Sequence, residues 1–272
     1  MMNARERMLG RLRAAAPGAT RGAIGVDGAI DAIDAIDAVN VATAATGANS
    51  VNAPNAVNAP NALNAVNALD TLDARIAAHY AGSRPDAAAR IDALEAALRA
   101  SRADVWRATA EEWPAQLAAR LAAHGAKRLL LDKATAEGAA LARALPADME
   151  SLAFAGPLEA WKGELFNTVD AGFTVARSGI AATGTLILAP DAGTPRTVSL
   201  VPPLHIALIY ADTLHATLHD AARAERWGDG MPSNLVLASG PSKTSDIQQT
   251  LAFGAHGPCW MWVVIVTERN KP

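Results

Sequence analysis

From about Asp70 onward, apolar residues recur either at helical spacing or in short unbroken runs. Ile91, Leu94 and Leu98 share one face of a helix, whereas Arg128–Asp132 has the unbroken apolar centre of a buried strand. The same criteria predict a strand starting at Val105, a helix through Leu117 and Leu121 that ends at Gly125, and a helix over Ala136–Leu145 that stops at Pro146. This alternation of strand and helix predicts a parallel sheet covered by helices.

Beyond Ser151 the pattern becomes dense in strands, with one obvious helix at Leu214–Arg223. The predicted strands are Val169–Ala171, Thr185–Ala189, Thr197–Val201, Ile206–Tyr210, Leu235–Ser239 and Met261–Val266. Many strands with few helices between them favour an antiparallel or mixed edge on the parallel sheet. The predicted fold class is therefore α/β, with a mixed, mostly parallel sheet flanked by helices.

The first 69 residues differ in composition from the rest. The pattern of residues 1–18 predicts a short amphipathic helix, and residues 19–69 are a low-complexity segment of Ala-Ile-Asp and Asn-Ala-X repeats. A period of three fits neither a helix nor a strand, and Asn and Pro disfavour helix. We interpret 19–69 as a disordered insertion, the alternative being a helical extension docked on a partner. Residues 70–272 then form the α/β domain.

Charge and cysteine content exclude several classes of protein. The net charge of -3 and the pI of about 6.1 give no basic stripe for nucleic acid. One cysteine, Cys259, cannot close a disulfide, nor can it supply the four thiolates of an iron–sulfur cluster. The apolar run Cys259–Val266 is shorter than the roughly 20 residues of a membrane span. A charged N-terminus without an apolar signal region makes the cytoplasm the expected compartment.

Four segments concentrate Gly, Ser, Thr, Pro and His between strands, and they are Ser178–Thr185, Leu200–His205, Ser239–Ile247 and Gly254–Pro258. In the third, a predicted strand runs through Gly-Pro-Ser into an expected helix start, where Ser245 and Gln248 fit a capping box. Free backbone N–H groups at such a turn favour an anion, and Lys243 adds a positive charge. The spacing is not that of a P-loop. A tight turn without a ligand is the alternative interpretation.

His205 and His256 are candidate acids, bases or ligand contacts, although a lone histidine is more often a structural hydrogen-bonding group. Neither has the partners that a metal site needs. His215 and His219 lie four apart on a predicted helix, but no Glu follows His215 as in a zincin motif, so they are expected at the surface. The segment Thr183–Thr185 could bring backbone close to a ligand through its glycine, or simply bend the chain before a strand. No nucleophile elbow and no dinucleotide-binding turn is present.

Taken together, these segments resemble the lactate-utilization protein C family, also called LutC or YkgG-like. The matching residues are Gly179-Ile180-Ala181, Thr183-Gly184-Thr185, Pro202-Pro203 with His205, Gly240-Pro241-Ser242-Lys243-Thr244 with Asp246-Ile247, and His256-Gly257-Pro258. The resemblance covers Val169–Val266 and extends more weakly through the helical part and to the start of the chain. Two positions depart from the family pattern: Ala182 stands where an acidic residue is common, and Cys259 where a basic residue is common.

The resemblance implies a Rossmann-like fold similar to sugar-phosphate isomerases, CoA transferases and formyltetrahydrofolate cyclo-ligases. It implies partners too, namely the iron–sulfur lactate-utilization proteins of the A and B types, with which the C member supports oxidation of L-lactate to pyruvate. The C member lacks cluster cysteines, so no cofactor is expected in this chain and the iron–sulfur clusters are expected in the partner proteins.

We expect the polar segments to form one pocket or docking surface for a small anion at the strand ends, where open α/β sheets bind ligands. The candidate ligand-binding residues are Thr183, Gly184, Thr185, His205, Gly240, Pro241, Ser242, Lys243, Thr244, Asp246, His256 and Gly257. No catalytic residue is assigned. Two alternatives stay open: a stand-alone small-molecule enzyme that binds ATP or CoA, by analogy of fold alone, and a purely structural adaptor.

Overall fold

The computed structural model of the chain describes residues 71–80, 85–154, 156–245 and 251–268. Internal contacts divide the chain into a first unit, Met1–His79, and a second unit, Tyr80–Pro272. In the first unit, residues 71–79 are helical. The predicted N-terminal helix (1–18) and the predicted low-complexity insertion (19–69) lie outside the described residues.

The second unit alternates helices and strands in its first part and is rich in strands afterwards. In chain order, its described elements are α1 (Ala87–Ala100), β1 (Asp104–Ala108), α2 (Trp113–His124), β2 (Arg128–Leu130), α3 (Ala136–Ala144), β3 (Glu150–Leu152), α4 (Leu158–Thr168), β4 (Ala171–Val175), β5 (Ser178–Ile180), β6 (Thr185–Leu188), α5 (Arg196–Leu200), β7 (Leu204–Tyr210), β8 (Leu214–His215), α6 (Leu218–Ala224), β9 (Val236–Ala238), β10 (Lys243–Ser245), β11 (Leu251–Phe253) and β12 (Trp260–Val266).

A six-stranded sheet lies at the centre, in the order β1-β12-β7-β4-β2-β3. Every neighbouring pair in it is parallel, which confirms the predicted α/β class. The strands β7 and β12 are apolar on both faces because both faces are covered. Along β7, Ile206 and Leu208 pack into one core and Ala207 and Ile209 into another, as the alternation of a strand requires.

Helices α2 and α3 cover one face of this sheet, and the Trp113 ring of α2 stacks on Phe173 of β4 at 5.8 Å between ring centroids. On the other face lie α1, through Leu94 and Leu98, and a second sheet. This second sheet has four strands in the order β8-β5-β6-β9 and is mixed, with β5 antiparallel to β6 and parallel to β8. The strand-dense part of the sequence therefore builds a separate layer as well as inner strands of the parallel sheet. The predicted mixed edge on that sheet was wrong.

Three local predictions differ from the structure. The predicted strand Thr197–Val201 is helical up to Leu200, within α5, and Val201 is the C-cap. Pro195 starts the helical turn, and Pro202-Pro203 stops it after one turn. The predicted helix over Leu214–Arg223 begins only at Leu218, after a capping box that Thr217 forms with Asp220.

The third difference concerns the turn after β9. Residues Lys243–Ser245 form β10, which pairs antiparallel with β11, so the expected helix start is a strand. The rest of the predicted capping box, at Gln248, lies outside the described residues. Within the residues that the structure describes, no helix is long and apolar enough to cross a bilayer.

Candidate functional site

His205 is a buried histidine at the second position of β7. Its Nε2 is 2.9 Å from the Thr174 hydroxyl oxygen on the neighbouring strand β4, and only 3% of the residue is exposed. Burial without a charged neighbour lowers the pKa of His205 to about 4, because the imidazolium would lose its hydration. The imidazole is therefore neutral near pH 7, where it can form hydrogen bonds but cannot balance the charge of an anion.

A cavity of about 240 Å³ opens beside this histidine. It is lined by five of the predicted ligand-binding residues, which come from strand β7 and from two loops. They are His205, Gly240, Ser242, His256 and Gly257. The remaining wall consists mainly of apolar or small residues, namely Ser199, Leu200, Val236, Leu237, Ala238, Ser239, Pro258 and Met261. His256 is exposed at the rim, so the cavity has one buried and one solvent-facing imidazole.

The cavity lies at the amino ends of the parallel strands. His205 and Met261 are the second residues of β7 and β12, and they are paired in the register of the two strands. Ligands of open parallel sheets usually bind outside the carboxyl ends. Here the motif-bearing loops lead into β7 and β12, so their polar groups gather at the opposite edge.

A second cavity, of about 410 Å³, adjoins the first. The two share three wall residues, Leu237, Ser239 and Gly240. The predicted residues Pro241 and Lys243 line the second cavity and not the first. The other wall residues are Ala100, Ser101, Arg102 and Phe253.

A chain of hydroxyl groups supports the shared wall. The Thr183 and Thr185 hydroxyl oxygens are 2.7 Å apart, and the Thr185 oxygen is 2.8 Å from that of Ser239. Thr185 is 7% exposed and lines neither cavity, so its hydroxyl group orients the wall residue Ser239. Gly184 has a left-handed φ of +62°, and a Cβ there would lie 2.6 Å from the Cβ of Ala97 in α1. Its role is thus the close packing of a bend against α1, without contact to either cavity.

Two predicted residues stay apart from the cavities. Thr244 lies in β10 opposite Ala252 and lines neither cavity, and Asp246 lies outside the described residues. Cys259, one of the departures from the family pattern, is partly buried against Gly254, where a Cβ would lie 2.0 Å from the cysteine sulfur. The described residues contain no group of three or more His, Cys, Asp or Glu side chains placed to hold a metal ion.

Sequence reasoning missed Ser101 and Arg102, which follow α1 and form a wall of the second cavity. They are distant in sequence from the four polar segments. One local signal was present: Arg102 directly follows a helix end, a position where glycine is the usual residue.

Comparison of the sequence with known proteins identifies a family for this chain. The LUD domain model matches residues 91–266, a range that contains both cavities. An uncharacterized protein of Neisseria meningitidis serogroup B is 43% identical over 172 residues, which are 62% of this chain and 73% of that protein. The lactate utilization protein C of Shouchella clausii is 38% identical over 103 residues, or 37% of this chain and 45% of that protein.

Another lactate utilization protein C, from Halalkalibacterium halodurans, is 35% identical over 104 residues, and the chain again spans 45% of its length. The crystal structure of a DUF162 family protein from Deinococcus radiodurans aligns with a TM-score of 0.49 and 24% identity, over 67% of this chain and 99% of that one. The family resemblance inferred from the polar segments is confirmed by the domain match, and the chain belongs to the LUD domain family.

Proposed function

We propose that this chain is a cytoplasmic component of an L-lactate utilization system and works with iron–sulfur proteins that carry the redox centres. The names of its relatives from Shouchella clausii and Halalkalibacterium halodurans support this role. The single cysteine supports a division of labour, because a cluster that takes four thiolates must be bound by another chain. In this proposal the chain contributes the ligand site at the amino edge of the sheet.

The observation that carries the proposal is the meeting of the family's polar segments around two adjoining cavities. His205, the Gly240–Lys243 turn and His256 are separated along the chain, yet they line walls of the same pair of cavities. A fold alone does not require polar residues from three separate segments of the chain to meet at one edge. Their convergence is typical of a site for a small ligand.

The chemistry of these residues suits binding and positioning. The neutral, buried His205 offers hydrogen bonding without charge, whereas Lys243 offers a positive charge in the adjoining cavity. An anionic group of a ligand would therefore be drawn toward the Lys243 side. In this proposal the residues of this chain bind and position the ligand, and the partner proteins carry out the oxidation.

Deletion of this gene alone tests the proposal. We expect the deletion strain to lose growth on L-lactate as sole carbon source and to grow normally on pyruvate, the expected product. A plasmid copy of the wild-type gene should restore growth, and a His205→Ala, Lys243→Ala copy should not. Unimpaired growth of the deletion strain on L-lactate would refute the role.

A stand-alone enzyme that acts on ATP or CoA is the second candidate function. The observation that favours it is the size of the second cavity, since 410 Å³ lies in the range of about 300–1,000 Å³ typical of small-molecule and cofactor sites. A thermal-shift comparison of ATP, CoA and L-lactate on the isolated chain distinguishes the two. Stabilisation by ATP or CoA together with normal growth of the deletion strain on L-lactate would favour the second candidate.

A further inference from the structure

Arg102 occupies a backbone conformation that side chains rarely adopt. Its φ is +67°, in the left-handed region, directly after Ser101, the C-cap of α1. The Arg102 N–H donates to the Arg99 carbonyl at 2.9 Å, and the Ala103 N–H donates to the Leu98 carbonyl at 3.0 Å. These two bonds define a helix-ending turn in which glycine is the usual residue at the left-handed position.

The end of α2 shows the same turn with the usual residue. Gly125 has a φ of +83°, and the following N–H, of Ala126, donates to the Leu121 carbonyl at 3.1 Å. Arg102 thus stands where this chain elsewhere uses glycine. A side chain at this position costs conformational energy that glycine avoids.

The side chain of Arg102 is held in place beside the second cavity. Its guanidinium lies over the Phe253 ring, 4.5 Å from the ring centroid, which orients a group that would otherwise be free in solvent. The helix-ending turn also packs closely against the Gly240–Lys243 turn. A Cβ on Gly240 would lie 2.7 Å from the Ser101 carbonyl oxygen. The two turns therefore line the same cavity, the first through Ser101 and Arg102 and the second through Gly240 and Lys243.

The charged side chains that line this cavity are all positive. Arg102 and Lys243 are both cationic, and no Asp or Glu is among the described residues that line the cavity. The hydroxyl groups of Ser101 and Ser239 supply further hydrogen-bond donors in the same cavity. Two cations and two hydroxyls match an anion of charge near two with several acceptor oxygens, whereas a single carboxylate would leave one cation unbalanced.

We propose that this cavity binds the phosphate group of a phosphorylated ligand and that Arg102 is its principal contact. The planar guanidinium can offer two parallel N–H groups to phosphate oxygens, and Lys243 adds a point charge. The rest of the ligand extends past Ser239 and Gly240 into the smaller, more apolar cavity beside His205. This inference rests on the proposed function in one respect, since both place a ligand at these loops. It specifies the ligand as a phosphate ester or a diphosphate.

Calorimetric titration of the full chain with pyrophosphate and with L-lactate in low-salt buffer tests the inference. We expect pyrophosphate to bind more tightly than lactate, and Arg102→Ala to weaken pyrophosphate binding by about tenfold or more, as loss of a charge-assisted contact does. Arg226→Ala is the matched control, because Arg226 is also a surface arginine with a left-handed φ, +54°, and lines neither cavity. Its affinity should stay within about twofold of the wild type.

Arg102→Gly separates binding from folding. Glycine adopts the left-handed conformation of this turn without strain, so the variant should have a melting temperature equal to or above that of the wild type. Its affinity for pyrophosphate should fall as it does in Arg102→Ala. Equal affinities for the two anions, or equal effects of Arg102→Ala and Arg226→Ala, would overturn the inference. A deletion strain that fails on L-lactate, combined with a chain that ignores pyrophosphate, would overturn this inference alone and leave the lactate role standing.

Discussion

The hydrogen bond between His205 and Thr174 links a motif residue to the interior of the parallel sheet. It joins β7 to β4 at 2.9 Å, in a position from which water is almost wholly excluded. A histidine in such a place is useful as a fixed, neutral hydrogen-bonding group. The same burial makes the folded protein sensitive to acid.

Acid stability measures this burial directly. Burial lowers the pKa of His205 to about 4 from the ordinary 6.5. Between these values the unfolded chain binds a proton that the folded chain does not, so the free energy of unfolding falls as the pH falls from 6.5 toward 4. The contribution is at most about 1.4 kcal/mol for each pH unit. Urea unfolding at a series of pH values should show a flatter dependence for His205→Gln than for the wild type.

His256→Gln is the matched control, because it also removes one histidine from the unfolded chain but from an exposed rim position. Its unfolding curve should keep the wild-type pH dependence. If His205→Gln and wild type gave superimposable profiles, His205 would not be buried in the folded state as described.

Single residues of the site were only partly predictable from sequence. Lys243 and His256 were recognisable as polar groups in glycine-rich loops. That His205 is buried on Thr174 was not, because its partner lies 31 positions earlier on another strand. Arg102 was missed because its meaning depends on a neighbour, Phe253, brought close only by folding.

At the scale of elements, the position of the short helix α5 against β4 determines part of the wall of the smaller cavity. It carries Ser199 and Leu200 into the wall of the smaller cavity and packs against β4 where that strand has Gly172. A Cβ on Gly172 would lie 2.0 Å from the Val198 carbonyl oxygen, a distance that real Cβ atoms do not reach. Only glycine lets the helix approach the strand this closely.

Gly172→Ala should therefore push α5 away from β4 and lower the free energy of unfolding by about 3 kcal/mol, the upper end for overpacking in a core. Gly163→Ala is the control: Gly163 is exposed in α4 with open space around it. There, alanine should raise the free energy of unfolding by about 0.5–1 kcal/mol. Chemical denaturation of the two variants checks both signs, and a Gly172→Ala variant as stable as wild type would contradict the close packing.

Elements with a strong period were predictable, and short ones were not. The elements from Ile91 to Pro146 followed the pattern because each helix buries one defined face and β2, covered on both faces, has an unbroken apolar run. Thr197–Val201 was mistaken for a strand, since five residues with apolar members fit both periods and only the flanking prolines decide. The Lys243–Ser245 segment is a strand because Leu251–Phe253 pairs with it, a contact that the local capping pattern does not reveal.

At the scale of the whole molecule, the parallel sheet brings distant loops to one edge. The strands β7 and β12 are neighbours in register, so the loops that precede them start from the same edge. The second sheet contributes the end of β9, and the α1–β1 turn completes the second cavity. The sequence indicated which loops concentrate polar residues and glycine. That these loops meet at the amino ends of the strands depends on the strand order, which no local pattern contains.

Histidine NMR tests most directly whether these loops form one site. With histidine side chains labelled, pyrophosphate should shift the ring resonances of His205 and His256 with a single titration midpoint, because both line the cavity that adjoins Arg102 and Lys243. The His215 resonances should stay in place, since that residue lines a different cavity, with Arg90 and Asp220. Different midpoints for His205 and His256, or a shift of His256 alone, would contradict a single site.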